Sequence, residues 1–259
     1  MEYAIFISRS HEIGPTDKDF SRLYFGNEFC QELIPSLNDL ERVLKGTTHF
    51  GFTLVTPYVT DEGLGRLTTL FDRLSKEKGN VEVVFNDWGV FRILHSGYPS
   101  LQPVMGRLLN KMKRGPRILN FMEAMPSEDL RYFRASSLTL KIFRDFLISN
   151  EIRRVEFDNT IQGFDLNFAG IDISLYLPFV YATTTRYCLV NGCDNPAKKG
   201  VVGIFPCKRE CQRYTFFLEH EVMPVPLIRK GNTVFYKNET VPADIGNFSR
   251  IVIEPEIPM

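Results

Sequence analysis

Four of the chain's five cysteines fall between residues 188 and 211, and the fifth, Cys30, stands far upstream in RLYFGNEFC. Cys207 and Cys211 are four apart in CKREC. On a helix that spacing puts both thiols on one face, where they can bind one metal centre. Cys188 precedes them across the turn-rich NGCDNPAKKG, whose glycine, asparagine and proline let the chain fold back. Three thiolates can converge from this region alone. A four-coordinate centre needs one more, from Cys30 or Cys193; Cys193 also reads as a spare thiol or a small buried apolar residue. Four thiolates suit structural zinc and a [4Fe–4S] cluster alike, and spacing does not choose between them.

Other residues could do chemistry at the end of a strand. Asp87, in FNDWG, could orient a substrate, although Asn-Asp before Trp-Gly equally suits a tight turn. Trp88, the only tryptophan, could stack on a planar substrate or pack in the core. Arg186 neighbours a candidate ligand and could bind a carboxylate or phosphate. Glu156 and Asp158 alternate by two along a strand and share one face. The basic stretch MGRLLNKMKRGPR, residues 105 to 117, could meet phosphates, RNA included, or be the solvated face of a helix. The four histidines, His11, His49, His95 and His220, fall in no metal-ligand spacing, and neither G-x-S-x-G nor G-x-G-x-x-G occurs.

The elements that would position these residues alternate. Strands are expected at 2–8, 22–26, 49–56, 81–85, 153–159 and 171–181, and helices at 34–46, 61–78 and 138–150. Between them lie an apolar run at 89–95 and a mostly helical stretch at 100–113. Beyond residue 214 the sequence is β-rich and turn-rich, with a hairpin candidate at 230–240. Short apolar strands alternating with helices argue for a parallel sheet covered by helices. The expected fold is α/β, a TIM-like (β/α) barrel that is irregular or incomplete, with an open doubly wound sheet as the alternative. The chain reads as a single barrel domain, 1–259, with a cysteine-rich segment at 186–214 and a β-rich tail at 215–259. In a parallel barrel, Cys30 and Cys188 each follow a strand, so both reach the same mouth.

The 31 basic and 31 acidic side chains cancel among 259 residues, so no electrostatic footprint forces a nucleic-acid or membrane partner. No apolar run is long enough to span a bilayer, and the first residues lack a secretory pattern. The expectation is a cytoplasmic protein without membrane insertion. Thiols stay reduced there, which favours metal ligation over disulfides.

RLYFGNEFC, VEVVFNDWGVFRIL and LPFVYATTTRYC followed by FPCKREC resemble the collagenase-like U-thirty-two peptidase family over about residues 20 to 215. The resemblance is nearest to its UbiV-type branch of anaerobic hydroxylation proteins. It implies a TIM-type barrel carrying a [4Fe–4S] cluster on Cys30, Cys188, Cys207 and Cys211. It also implies oxygen-independent hydroxylation of a quinone precursor (a small aromatic substrate) or an RNA base, and a second family member as heterodimeric partner. Two departures stand out. Tyr187 separates Arg186 from Cys188, and LPFVYATTT lacks the histidine-glycine motif and extra cysteine of the peptidase-like branch. The alternatives are a peptidase, as the family name implies, and a binding module with a structural zinc site.

Overall fold

The computed structural model describes residues 1–10, 20–46, 50–77, 79–198, 206–243 and 245–259. Seven parallel strands follow one another around a barrel: β1 (Glu2–Ile7), β2 (Arg22–Gly26), β3 (Gly51–Val55), β4 (Val81–Phe85), β5 (Leu101–Met105), β6 (Arg154–Asp158) and β7 (Asp172–Leu177). The chain then leaves to build a four-stranded antiparallel sheet. Its strands are β8 (Phe179–Thr184), β9 (Phe216–Leu218), β10 (Leu227–Lys230) and β11 (Thr233–Lys237), in the order β8-β11-β10-β9. It returns with β12 (Arg250–Ile253), which pairs with both β7 and β1 and closes an eight-stranded barrel.

Outward-facing strand residues, among them Leu23, Phe25, Leu54, Val83 and Phe157, pack under the helices. Helix α1 (Leu37–Gly46) buries Leu40 and Val43, and α2 (Asp61–Leu74) buries Leu67, Leu70, Phe71 and Leu74. Helix α3 (Trp88–Gly97) covers β4 and β5 with Val90, Phe91 and Leu94. Helices α4 (Ser127–Arg134) and α5 (Lys141–Ser149) lie between β5 and β6. The alternate strand residues Phe6, Tyr24, Val55, Val84, Val104, Tyr176 and Val252 fill the interior, as layered side chains do in barrels of this kind.

The expected barrel is present, and it is irregular in three places. Residues 89–95 lie in helix α3, and residues 101–105, expected to be helical, form β5. Pro103 weakens the strand signal because it has no N–H for a ladder. It sits beside the barrel's sparsest pairing, where β5 meets β6 only at Met105↔Val155. The apolar stretch 171–181 is two strands rather than one. Pro178 ends β7, and the chain turns out into β8. The hairpin expected at 230–240 is β10–β11. The tail also supplies the barrel's eighth strand.

Inside, the barrel is ionic at both ends. Toward the amino ends of the strands, Glu82 accepts from Arg250 Nη1 at 2.6 Å and from Thr53 Oγ1 at 3.0 Å. Mid-barrel, Tyr24 donates to Glu156 Oε1 at 3.0 Å. At the carboxyl end, the fully buried Arg107 pairs with Glu28, with Asp158 at 3.1 Å and with Glu254 at 2.7 Å, and its guanidinium lies 3.8 Å from the Tyr176 ring centroid. Arg114 adds a second cation, 2.6 Å from Asp158. Above this group, Phe29, Phe179, Tyr181 and Phe235 form one apolar cluster. The antiparallel sheet thus fills the mouth.

Candidate metal centre

Cys30 is set by the turn that ends β2. Gly26 has φ +132, and a Cβ there would lie 2.2 Å from Val55 O, so only glycine lets the strands approach this closely. Asn27 then folds its side chain over the turn. Its Oδ1 accepts from Phe29 N at 3.0 Å and from Cys30 N at 2.9 Å.

Cys188 arrives from the other side, four residues after β8. Asn232, in the β10–β11 turn, ties the two approaches together. Its Nδ2 donates to Phe29 O at 2.6 Å, to Thr185 O at 2.6 Å and to the Tyr58 hydroxyl at 2.8 Å. Tyr58 OH itself donates to Thr185 O at 2.6 Å. Residues 203 positions apart, Phe29 and Asn232, are thereby held together. Truncating this hub is expected to cost about 1–3 kcal/mol, since the buried Phe29 carbonyl loses its donor. Thermal unfolding of Asn232→Ala measures the loss.

Cys207 and Cys211 lie on a short turn rather than an α-helix: Glu210–Gln212 is a single 3-10 turn entered through Arg209 at φ 55, ψ 38. Glu210 staples this turn to the Cys188 loop, accepting from Gly192 N at 2.7 Å and from Lys208 N at 3.1 Å. Two donors already aim at sulfur: Arg209 N lies 3.4 Å from Cys207 Sγ, and Gln212 Nε2 lies 3.6 Å from Cys211 Sγ.

All four cysteines line one cavity of about 220 Å³, with Tyr58, Arg186 and Tyr187 at its walls. That is on the order of ten times the space one water needs. Burial pushes the Cys30 thiol up to about 12, and Cys211, Cys207 and Cys188 add to the push as neighbouring thiolates would. Burial likewise lifts Cys188 and Cys211. Four thiolates side by side would repel one another, so without a cation the thiols stay protonated; a bound metal would hold them as thiolates. Among the described residues, no group of three or more His, Cys, Asp and Glu side chains is placed to hold a metal ion. Cys193 is exposed, does not line the cavity, and has Asp194, Glu210 and Arg213 as its charged neighbours.

No family model matches the chain, and neither does any curated protein. Among solved structures, a glycoside hydrolase family 18 N-acetylglucosaminidase from Paenibacillus barengoltzii aligns with 97% of this chain and 94% of its own, at 7% identity and a TM-score of 0.36. At that score the barrel assignment stands on this chain's own strand pairing. No helix among the described residues is long and apolar enough to cross a membrane.

The remaining candidates separate. Arg186 is at the cavity wall, its guanidinium 5.6 Å from the Tyr58 ring centroid. Asp87 caps α3, accepting from Gly89 N at 2.7 Å. Trp88 packs edge-on against Phe91 and Phe146 in the helical layer. Glu156 is buried mid-barrel, away from the thiols, with Oε2 unpartnered. His11 and His49 lie outside the described residues, as does the stretch 199–205 within the cysteine-rich segment. Of the basic stretch, Arg107 and Arg114 turn inward as the mouth's two cations, while Lys111 and Arg117 stay at the surface. Sequence reasoning missed Glu28, Asn232, Glu210 and Glu254. Only Glu28 carried a hint, as an acid inside the FGNEFC strand end.

Proposed function

We propose that this chain is an iron–sulfur protein whose Cys30, Cys188, Cys207 and Cys211 hold a [4Fe–4S] cluster, and that it assists a partner in oxygen-independent hydroxylation. The observation that carries the first part is the shared cavity: thiols from residue 30 and from residues 188 to 211 border one space. Zinc draws its thiolates to about 2.3 Å from one point. The cavity of about 220 Å³ that these four cysteines line supports the larger occupant. When bound, such a cluster supplies one-electron chemistry at a potential set by hydrogen bonds to its sulfurs and by exposure. The Arg209 amide and the Gln212 side chain are among this chain's donors to those sulfurs, with backbone donors at Glu32, Val190 and Asn191.

The hydroxylation reading rests on the resemblance to the U-thirty-two family, with a quinone precursor or an RNA base as substrate and a second family member as partner. The filled mouth favours an assisting role. Barrel enzymes keep substrate at the carboxyl ends of their strands, and here Arg107, Tyr181, Phe179 and Phe235 occupy the centre of that mouth, while a cavity of about 640 Å³ stays open beside it, at the ends of β1 and β2. A peptidase reading fares less well, because a nucleophilic thiol needs a lowered pKa and burial lifts Cys30, Cys188 and Cys211.

Anaerobic isolation is expected to give a brown protein with about four iron and about four sulfide per chain, bleached by air. A colourless protein with about one zinc per chain would replace the cluster by a structural ion. Cells lacking the chain are expected to accumulate unhydroxylated substrate only when grown without oxygen. Unchanged hydroxylation there would remove the second part of the proposal.

A further inference from the structure

The four-stranded sheet ends on an unprotected edge. Its order is β8-β11-β10-β9, so β10 covers one side of β9 and no strand among the described residues pairs with the other. That side presents backbone N–H and C=O groups as a template for a further strand, and such edges are commonly blunted by lysine, proline or a bulge. The three residues of β9, Phe216, Phe217 and Leu218, carry none of these. The strand is also firmly placed. It pairs with β10 at three successive positions, and Asn120 Nδ2 holds the turn that follows, donating to Val222 O at 3.0 Å.

The side chains agree with the backbone. Phe217 stands opposite Ile228, and Ile228 opposite Phe235, so the three share one face of the sheet. Along that face exposure climbs from 0% at Phe235 through 9% at Ile228 to 70% at Phe217. The apolar face that fills the barrel mouth therefore runs past it and ends in the open. Tyr214, Phe216 and Val222, near Phe217 in sequence, are exposed as well. Charge is split across the strand: exposed Arg213 precedes it, and exposed Glu219 and Glu221 follow it. Neither glutamate has an ion pair among the described residues. Arg213 gives one N–H to Asp194 at 2.9 Å in a solvent-screened pair, which leaves the rest of its fork.

We propose that β9 is the seam of a homodimer, in which two copies pair antiparallel about a two-fold axis and join their sheets into one of eight strands. Both copies offer the same outward backbone groups, so the axis passes through a residue rather than between two. Centred on Phe217, the pairing sets the two Phe217 rings side by side and Phe216 opposite Leu218 of the partner subunit. Antiparallel order also brings the Arg213 end of each copy against the Glu219–Glu221 end of the other, whereas parallel pairing would set like charge on like. That self-complementarity favours a second copy over an unrelated extended peptide. The seam stands on this sheet whatever the thiols hold.

Sedimentation equilibrium of the anaerobically isolated full chain tests this. The mass should rise from that of one chain toward that of two across about 1–100 µM, the range suited to a small interface. Phe217→Lys, which sets like charges opposite one another, should weaken association by about tenfold or more. Arg213→Glu alone, and Glu219→Arg with Glu221→Arg, should each weaken it by about tenfold. All three charge reversals together should restore it, which loss of structure would not. Tyr132→Ser, at an exposed ring on α4, should leave association unchanged. A chain that stays single throughout that range, a dimer indifferent to Phe217→Lys, or a triple variant no better than its parts would overturn the seam.

Discussion

Replacing Arg107 by methionine is expected to destabilise the chain by at least about 3–5 kcal/mol, enough to unfold a marginal domain. The side chain is fully buried and faces three carboxylates, Glu28, Asp158 and Glu254, which are themselves fully buried. Arg114, paired with Asp158, would then be the group's remaining cation. With both arginines present the group still carries one surplus negative charge. Burial pushes Glu254 up to about 8 against the pull of Arg107, with Glu28 and Asp158 pushing the same way, and Glu28 is raised as well. One proton shared by this group balances it at neutral pH. Without Arg107 more protons are needed, so the variant's deficit should be smaller at pH 5 than at pH 8. Urea unfolding at the two values measures both. A deficit below about 1 kcal/mol would mean that the mouth tolerates unpaired carboxylates, contrary to the cost of burying charge.

Glu156 governs the second large effect. Burial raises its carboxyl to about 7 from an ordinary 4.5; Arg250 and Arg154 pull it down and Glu82 pushes it up. Between those two values the folded chain keeps a proton that the unfolded chain has released. Stability therefore falls as pH rises from about 4.5 to about 7, and this contribution stays lost above it. A shift of that size corresponds to roughly 3 kcal/mol. Glu156→Gln imitates the protonated form and keeps the acceptor for Tyr24. The variant should match the parent chain near pH 4.5 and exceed it in stability near pH 8. Equal pH dependence in both chains would show that the mid-barrel carboxyl is ionised throughout.

How far the sequence revealed this arrangement depended on distance along the chain. Local patterns identified the strands that carry Cys30 and the amphipathic faces of α1 and α2, because periodicity is a property of neighbouring residues. The convergence of Cys30 with Cys188 was expected from two barrel-strand ends, but Cys188 arrives through β8 of the antiparallel sheet rather than from the end of a barrel strand. What holds them was not legible. Asn232 is an ordinary turn residue until the fold brings it against Phe29 and Thr185. Arg107 and Arg114 read as a basic surface stretch because nothing nearby shows the acids contributed by β2, β6 and β12. Residues 101–105 read as helix because Leu108, Leu109 and Met112 continue a helical spacing past them, and Pro103 masks the strand. The spacing of Cys207 and Cys211 suggested a helical face; a 3-10 turn entered through a left-handed Arg209 brings the same two sulfurs together.

Iron content of two single-cysteine variants tests the central claim most directly. Isolated without oxygen, Cys30→Ser should lose most of its iron and sulfide, while Cys193→Ser should keep the parent chain's full complement. The reverse result, iron retained without Cys30 and lost without Cys193, would contradict the assignment of the cavity's four thiols as the ligands.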